Sequence, residues 1–134
     1  VRIIQTSQEL GQIANSAVIC YIIIPVTNAE DLVDLMRSAS GFDYDLNELM
    51  ECGERIWNLK RGISNLMGIT SADDRLPRQI LTPTSEGGAV GSVPDLELML
   101  KEYYPARGLQ ADGRPSKQKL ISLGLHELAG KLYT

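Results

Sequence analysis

One histidine, two cysteines, one tryptophan and one phenylalanine are all that this chain of 134 residues holds of those types. So few ligating side chains exclude a self-contained four-ligand zinc centre and a disulfide framework, and a lone imidazole leaves little room for a Ser-His-Asp triad. Positive charge is also short. The 13 Lys+Arg against 17 Asp+Glu give a net charge of -4, so there is no electrostatic case for nucleic acid or an anionic membrane. The longest apolar run, Ala17 to Val26, is interrupted by Pro25 and is about half of what a bilayer needs. No charged region and cleavage site precede an apolar stretch at the start, so no signal peptide is expected and a cytoplasmic location is. The chain begins at Val1 and is expected to be a piece of something larger.

What is present is ordinary globular material: 43% hydrophobic and 22% charged residues, in a length that suits one domain with a core needing no staple. Leu10, Ile13, Ala14 and Ala17 recur at helical spacing after Thr6-Ser7, predicting a helix from Thr6 to about Val18. Val18 to Pro25 is β-branched, apolar and short; periodicity leaves strand and helix both open, but burial is expected. Thr27-Asn28-Ala29-Glu30 reads as a capping box opening a helix that Gly41 ends. Asp45-Leu46-Asn47-Glu48 repeats the device. It opens a long helix with an apolar stripe through Leu49, Gly53, Ile56, Trp57, Ile63, Leu66 and Met67, and Gly53 on that stripe marks a close helix crossing. Beyond it come a capped turn at Ser71 to Asp74 and a Gly-rich loop at Glu86 to Ser92. A helix then starts at Pro94, a turn follows at Asp112-Gly113, and a short helix capped by Ser116 precedes a last one in Leu125 to Tyr133. The expectation is a single all-α domain over 1–134, an irregular bundle of about six helices with one long loop.

Few residues invite chemistry. His126 has Glu127 beside it but no nucleophile nearby in the sequence, which reads as structural. Cys52, between Glu51 and Gly53, reads as a small packing residue. Glu54, Arg55, Lys60 and Arg61 around Trp57 could stack on bases, but mixed charge on one helix is more often a solvated face. Gly87, Gly88 and Gly91 lack the Lys-Ser/Thr pair of a phosphate loop. Asp73-Asp74 could hold a cation, although Arg75 and Arg78 offer a simpler ion-pair reading. Cys20 sits in the most apolar stretch of the chain. It is either a core cysteine acting as a small hydrophobe or a thiolate ligand to a cluster in an apolar shell. A four-iron cluster needs about four thiolates, so the second reading requires ligands from outside the chain.

From Gly41 onward the sequence resembles the C-terminal part of the tungsten-containing aldehyde ferredoxin oxidoreductases. Gly53-Glu54-Arg55-Ile56-Trp57-Asn58-Leu59-Lys60-Arg61 is similar to that family's Gly-Glu-Arg-x-x-Asn-Leu-x-Arg helix. Asp73-Asp74-Arg75-Leu76-Pro77 resembles its Asp-Asp-x-Leu-Pro. Tyr103-Tyr104 with Arg107-Gly108 resembles its Tyr-Tyr-x-x-Arg-Gly, Asp112-Gly113-Arg114-Pro115 its Asp-Gly-x-Pro, and Leu120 to Leu125 its Leu-x-x-Leu-Gly-Leu. The matches follow one another in the family's order.

The resemblance implies a helical domain completing a larger enzyme. That enzyme holds tungsten (or molybdenum) on two pterins beside a 4Fe-4S cluster and oxidises aldehydes to carboxylic acids, with ferredoxin as acceptor. Its N-terminal domains, ferredoxin and the aldehyde are the implied partners. Asn15-Ser16-Ala17-Val18-Ile19-Cys20 aligns with the family's Asp-x-x-Gly-Leu-Cys, which implies Asn15, Ile19 and Cys20 as cofactor-binding residues and Cys20 as the metal ligand. Asn15 replaces the acid, and Val18 replaces the glycine and is expected to block a backbone that needs glycine. The family's other cluster cysteines and its proton-transfer residues lie upstream, so no catalytic residue is assigned here and the chain alone is expected to be inactive. A detached chain is expected to expose an apolar patch at Cys20 to Pro25 and to self-associate. The competing reading is a freestanding helical interaction module derived from such an enzyme.

Overall fold

Four of the six α-helices start at a side-chain cap: Asn28, Asp45, Asp95 and Ser116. The computed structural model describes residues 1–134, apart from the side chains of Tyr21 and Ile24. Among the described residues there are six α-helices: α1 Arg2–Ser16, α2 Ala29–Ser40, α3 Leu46–Leu66, α4 Leu96–Arg107, α5 Lys117–Ser122 and α6 His126–Leu132. Short 3-10 turns occupy Tyr21–Val26 and Ser71–Asp73, and the only β features described are two isolated bridges. The all-α expectation holds. No described helix is long and apolar enough to cross a membrane.

Several boundaries differ from the sequence reading. Helix α1 begins at Arg2, four residues before the expected cap, because nothing in Arg2 to Gln5 interrupts a helix, and Thr6 and Ser7 lie inside it. The cap of α2 is Asn28, whose Oδ1 accepts from the Asp31 N–H at 2.7 Å. Thr27 instead donates its hydroxyl to the Ile23 carbonyl at 2.9 Å, a local bond that competes with capping. Helix α4 starts at Leu96 with Asp95 as cap, leaving Pro94 outside. The box at Asp45 forms as expected: the Glu48 N–H donates to Asp45 Oδ1 and the Asp45 N–H to Glu48 Oε2, both at 2.8 Å. Gly41 ends α2 in the left-handed region at φ 75°.

Helix α3 is the axle. Its first half crosses α1, with Leu49 joining Ile13, Leu32 and Val33 in one buried cluster. Its second half meets α6, where Gly62 lies against Leu128, beside a second cluster of Leu120, Leu128, Ala129 and Leu132. The apolar stripe therefore runs out part-way. Ile63, Leu66 and Met67 are exposed, while Asn58 and Gly62 are buried. In the mixed-charge cluster Lys60 is exposed, but the other three residues are tied to the fold. Lys119 Nζ pairs with Glu54 at 2.9 Å, Arg55 Nε donates to the Leu123 carbonyl at 2.8 Å, and Arg61 Nε donates to the Gly113 carbonyl at 2.7 Å.

Besides Gly62, two more glycines leave no room for a Cβ. A Cβ on Gly113, itself at φ 84°, would stand 2.2 Å from Arg61 Nη2. A Cβ on Gly53 would stand 2.7 Å from the Glu9 backbone oxygen, so α1 and α3 cross there at backbone contact, as the sequence suggested. Gly53→Ala must push the helices apart and is expected to destabilise the fold by about 1–3 kcal/mol. Urea unfolding checks this, and an unchanged midpoint would show that the crossing is looser than described.

Candidate functional site

The aligned stretch Asn15 to Cys20 forms the end of α1, and its geometry follows from one turn. The Ile19 N–H donates to the Ala14 carbonyl at 2.8 Å and the Val18 N–H to the Asn15 carbonyl at 3.4 Å. These are the paired bonds of a Schellman ending, which needs a left-handed residue just after the helix cap. That residue is Val18, at φ 58°. Valine therefore does not block the glycine-type backbone. The chain adopts it at a steric cost of about 1–2 kcal/mol, held by the two cap bonds and by Ile19, which packs onto the Ile13 cluster. The Val18 side chain is 92% exposed, so no packing clash adds to the backbone strain.

This turn separates the three implied cofactor residues. Ile19 points to the core, whereas Asn15 and Cys20 lie exposed at the helix end. Neither the expected burial of the apolar run nor that of the Cys20 thiol is found: Ile22 is 82% and Val26 83% exposed. The apolar patch expected for a detached chain is there. Cys52 is half-buried, with Arg55 Nη1 3.5 Å from its sulfur, and His126 starts α6 on the surface. Among the described residues no three of His, Cys, Asp and Glu gather as a metal site. Replacing Val18 by glycine removes the strain without changing the turn. Val18→Gly is therefore expected to stabilise the fold by about 1 kcal/mol, read as a higher urea midpoint with unchanged slope; a lower midpoint would count against the left-handed turn.

A second feature, at the other end of α1, was missed from sequence. A cleft of about 410 Å³ opens between the first half of α1, helix α4 and the segment after Ser71–Asp73, lined by Ile4, Trp57, Leu96, Met99 and Leu100. Asp74 in it is held by Arg61, whose Nη1 and Nη2 donate to its two oxygens at 2.7 and 2.6 Å, and by the Tyr104 hydroxyl. The ion-pair reading of Asp74 was right in kind and wrong in partner. Arg75 and Arg78 are adjacent in sequence, but Arg61 is the residue that the fold brings to it. Burial pushes the Asp74 carboxyl up, yet the hydrogen bonds from Arg61 and Tyr104 outweigh it and leave it below its ordinary value. Burial and the bond to Asp74 push the Tyr104 phenol up to about 12. The Asp74 bond raises Arg61 in turn, so the group is a closed ion pair capped by a neutral phenol.

A phenol that binds its proton more tightly when folded contributes stability that is complete below its ordinary value of 10.0 and lost as pH rises toward about 12. Tyrosinate absorbance is therefore expected to show a phenol ionising toward the top of that window, missing from Tyr104→Phe, while Tyr133, also raised by burial, remains in the variant. Stability should fall across that window in the parent more steeply than in the variant, and coincident curves would contradict the pairing.

The residues that meet around these two features come from separate sequence motifs, and comparison with known proteins agrees with the motifs. Residues 1–125 match the sequence model of a family described as aldehyde ferredoxin oxidoreductase, domains 2 and 3. The chain belongs to that family. A tungsten-containing aldehyde ferredoxin oxidoreductase of Pyrococcus furiosus is 37% identical over 90% of this chain and 20% of its own length. The protein of the same description from Pyrococcus horikoshii is 34% identical over 95% of this chain and 21% of its own. A more distant relative in Pyrococcus furiosus, an aliphatic sulfonate oxidoreductase WOR-like subunit, is 30% identical over 91% of this chain. The chain thus spans about a fifth of the length of the family members it matches.

Proposed function

We propose that this chain is the C-terminal helical part of an aldehyde:ferredoxin-type oxidoreductase, covering a tungstopterin centre and donating Cys20 to the neighbouring four-iron cluster. The observation that carries the reading is the family match over residues 1–125. In such an enzyme the two-electron chemistry is supplied by the metal–pterin centre and the cluster, and tungsten is suggested by the names of the relatives.

The donor set fits a contributing role and not a complete site. A four-iron cluster takes about four thiolates; this chain has two cysteines, of which Cys20 is exposed at a helix end and Cys52 is half-buried. The remaining ligands then belong to the N-terminal domains, and the chain by itself is inactive. Asn15, exposed beside Cys20, offers a carboxamide that donates and accepts hydrogen bonds, where an acid would only accept. That pairing suits a pterin ring edge, which carries both kinds of group. The exposed Ile22, Ile23 and Val26 supply an apolar surface for the N-terminal domains, which would limit water at the cluster.

Iron and tungsten analysis of the enzyme containing this chain provides the test. Cys20→Ala is expected to lower iron by about one cluster per protein while leaving the helical fold intact by circular dichroism. Full iron content in the folded variant would remove the ligand role. The coding sequence upstream of Val1 offers a second check: a Cys-x-x-Cys-x-x-x-Cys stretch in the same frame is expected.

A further inference from the structure

We infer that the Ile19 side chain is a positioning residue for Cys20, anchoring the turn that presents the thiolate to the cluster. The inference rests on the reading of Cys20 as a cluster ligand. Ile19 is the neighbour of Cys20 in the chain, and its side chain packs onto the core of Ile13, Leu32, Val33 and Leu49. That core is drawn from α1, α2 and α3 together, so the foundation is larger than the turn itself. The Ile19 N–H also donates to the carbonyl of Ala14 at 2.8 Å, and Ala14 is fully buried. On the other side, the Cys20 carbonyl accepts from the Ile23 N–H at 3.0 Å. Cys20 therefore has its backbone tied on both sides while its side chain stays exposed. A ligand that reaches out to a second domain requires that combination. The resemblance implied a cofactor contact at Ile19; the packing gives its side chain a different role, acting on the cluster through Cys20.

The turn needs an anchor because it is strained. Among the described residues Val18 is the only one besides glycines with a positive φ, at 58°, a conformation that a β-branched side chain disfavours. Left to itself, the valine relaxes toward an ordinary negative φ, and that rotation carries the Cys20 sulfur with it. Ile19 opposes the rotation, since leaving the left-handed conformation at Val18 pulls Ile19 off the core and breaks its bond to Ala14. Val18 and Ile19 thus pull the same turn in opposite directions, and substitutions at the two are coupled rather than additive. A thiolate pinned in this way loses less freedom when iron binds, so the anchor tightens the hold on the cluster and orients its ligand.

The test uses the enzyme containing this chain. Its readouts are the electron paramagnetic resonance spectrum of the reduced cluster and the loss of iron to a chelator. Folded Ile19→Ala is expected to assemble the cluster, to show an altered spectrum, and to yield iron to the chelator about tenfold more readily. Adding Val18→Gly should move both readouts back toward wild type, because glycine takes the left-handed conformation without strain and the turn then needs less anchoring. Leu128→Ala lies in the second core cluster, which shares no residue with the first; it should lower stability and leave both readouts unchanged. Ile19→Val should shift both in the same direction as Ile19→Ala by less, and it carries the test where the alanine variant does not fold. Unmoved readouts in the folded Ile19 variants, equal changes in Leu128→Ala, or no recovery with Val18→Gly overturns the inference. The ligand reading is judged separately. A cluster lost in Cys20→Ala beside an unaffected Ile19→Ala sinks the positioning role alone, whereas full iron in Cys20→Ala sinks the ligand role and this inference with it.

Discussion

A guanidinium out of reach of water must find every partner in the protein, and Arg107 organises this fold by that demand. Its side chain is 0% exposed. Nη1 donates to Glu9 Oε1 at 2.6 Å, Nη2 to the Gln5 carbonyl at 3.1 Å and to Gln8 Oε1 at 2.7 Å, and Nε to the Tyr103 hydroxyl at 3.3 Å. The plane of the group lies 4.5 Å from the Trp57 ring centre. One residue at the end of α4 thus fixes α1 through three polar atoms and α3 through a ring face. A buried ion is stabilising only when its hydrogen bonds are complete and its counter-ion is held, and here the backbone crossing at Gly53 holds Glu9 in place. The Glu9 carboxyl still feels its burial, which raises it above its ordinary value despite the opposing pull of Arg107.

This arrangement explains why the family-like motifs are so scattered in sequence. Arg61 closes one motif, Asp74 lies in a second and Tyr104 in a third, and the three meet as one hydrogen-bonded group. Arg107 of the third motif stacks on Trp57 within the first. Arg61 also donates to the carbonyl of Gly113 in the fourth, and the Asp112 carbonyl accepts from Ser71 at 2.9 Å. Much of what the motifs encode is mutual contact that keeps a long, loop-rich chain in register.

Local signals were legible from the sequence because they act over a few residues: the Asp45 box, the Gly41 ending, the Gly53 crossing and the Ser116 cap all formed as read. Signals whose outcome depends on a distant partner were not. The stripe on α3 was drawn through Ile63 and Leu66 because helical spacing cannot say where α6 will land, and α6 lands beside Gly62, leaving Ile63 and Leu66 exposed. Asp74 was paired with its neighbours because proximity in sequence is all that a sequence shows. Apolar composition in Val18 to Pro25 implied burial, but burial needs something to be buried against, and among the described side chains of that stretch Ile19 is the one packed on a core cluster. At the candidate site, Cys20 and Asn15 stood out through the family pattern. The left-handed valine between them could not be foreseen, since the residue type argues against the conformation that the helix ending requires.

The two apolar clusters of the fold have a mechanical consequence. The first, around Ile13 and Leu49, and the second, around Leu120 and Leu128, share no buried apolar residue and are joined through α3 and the polar contacts along it. Displacement of the α1 end, where Cys20 and the exposed Ile22, Ile23 and Val26 sit, therefore leaves the contacts of the second cluster untouched.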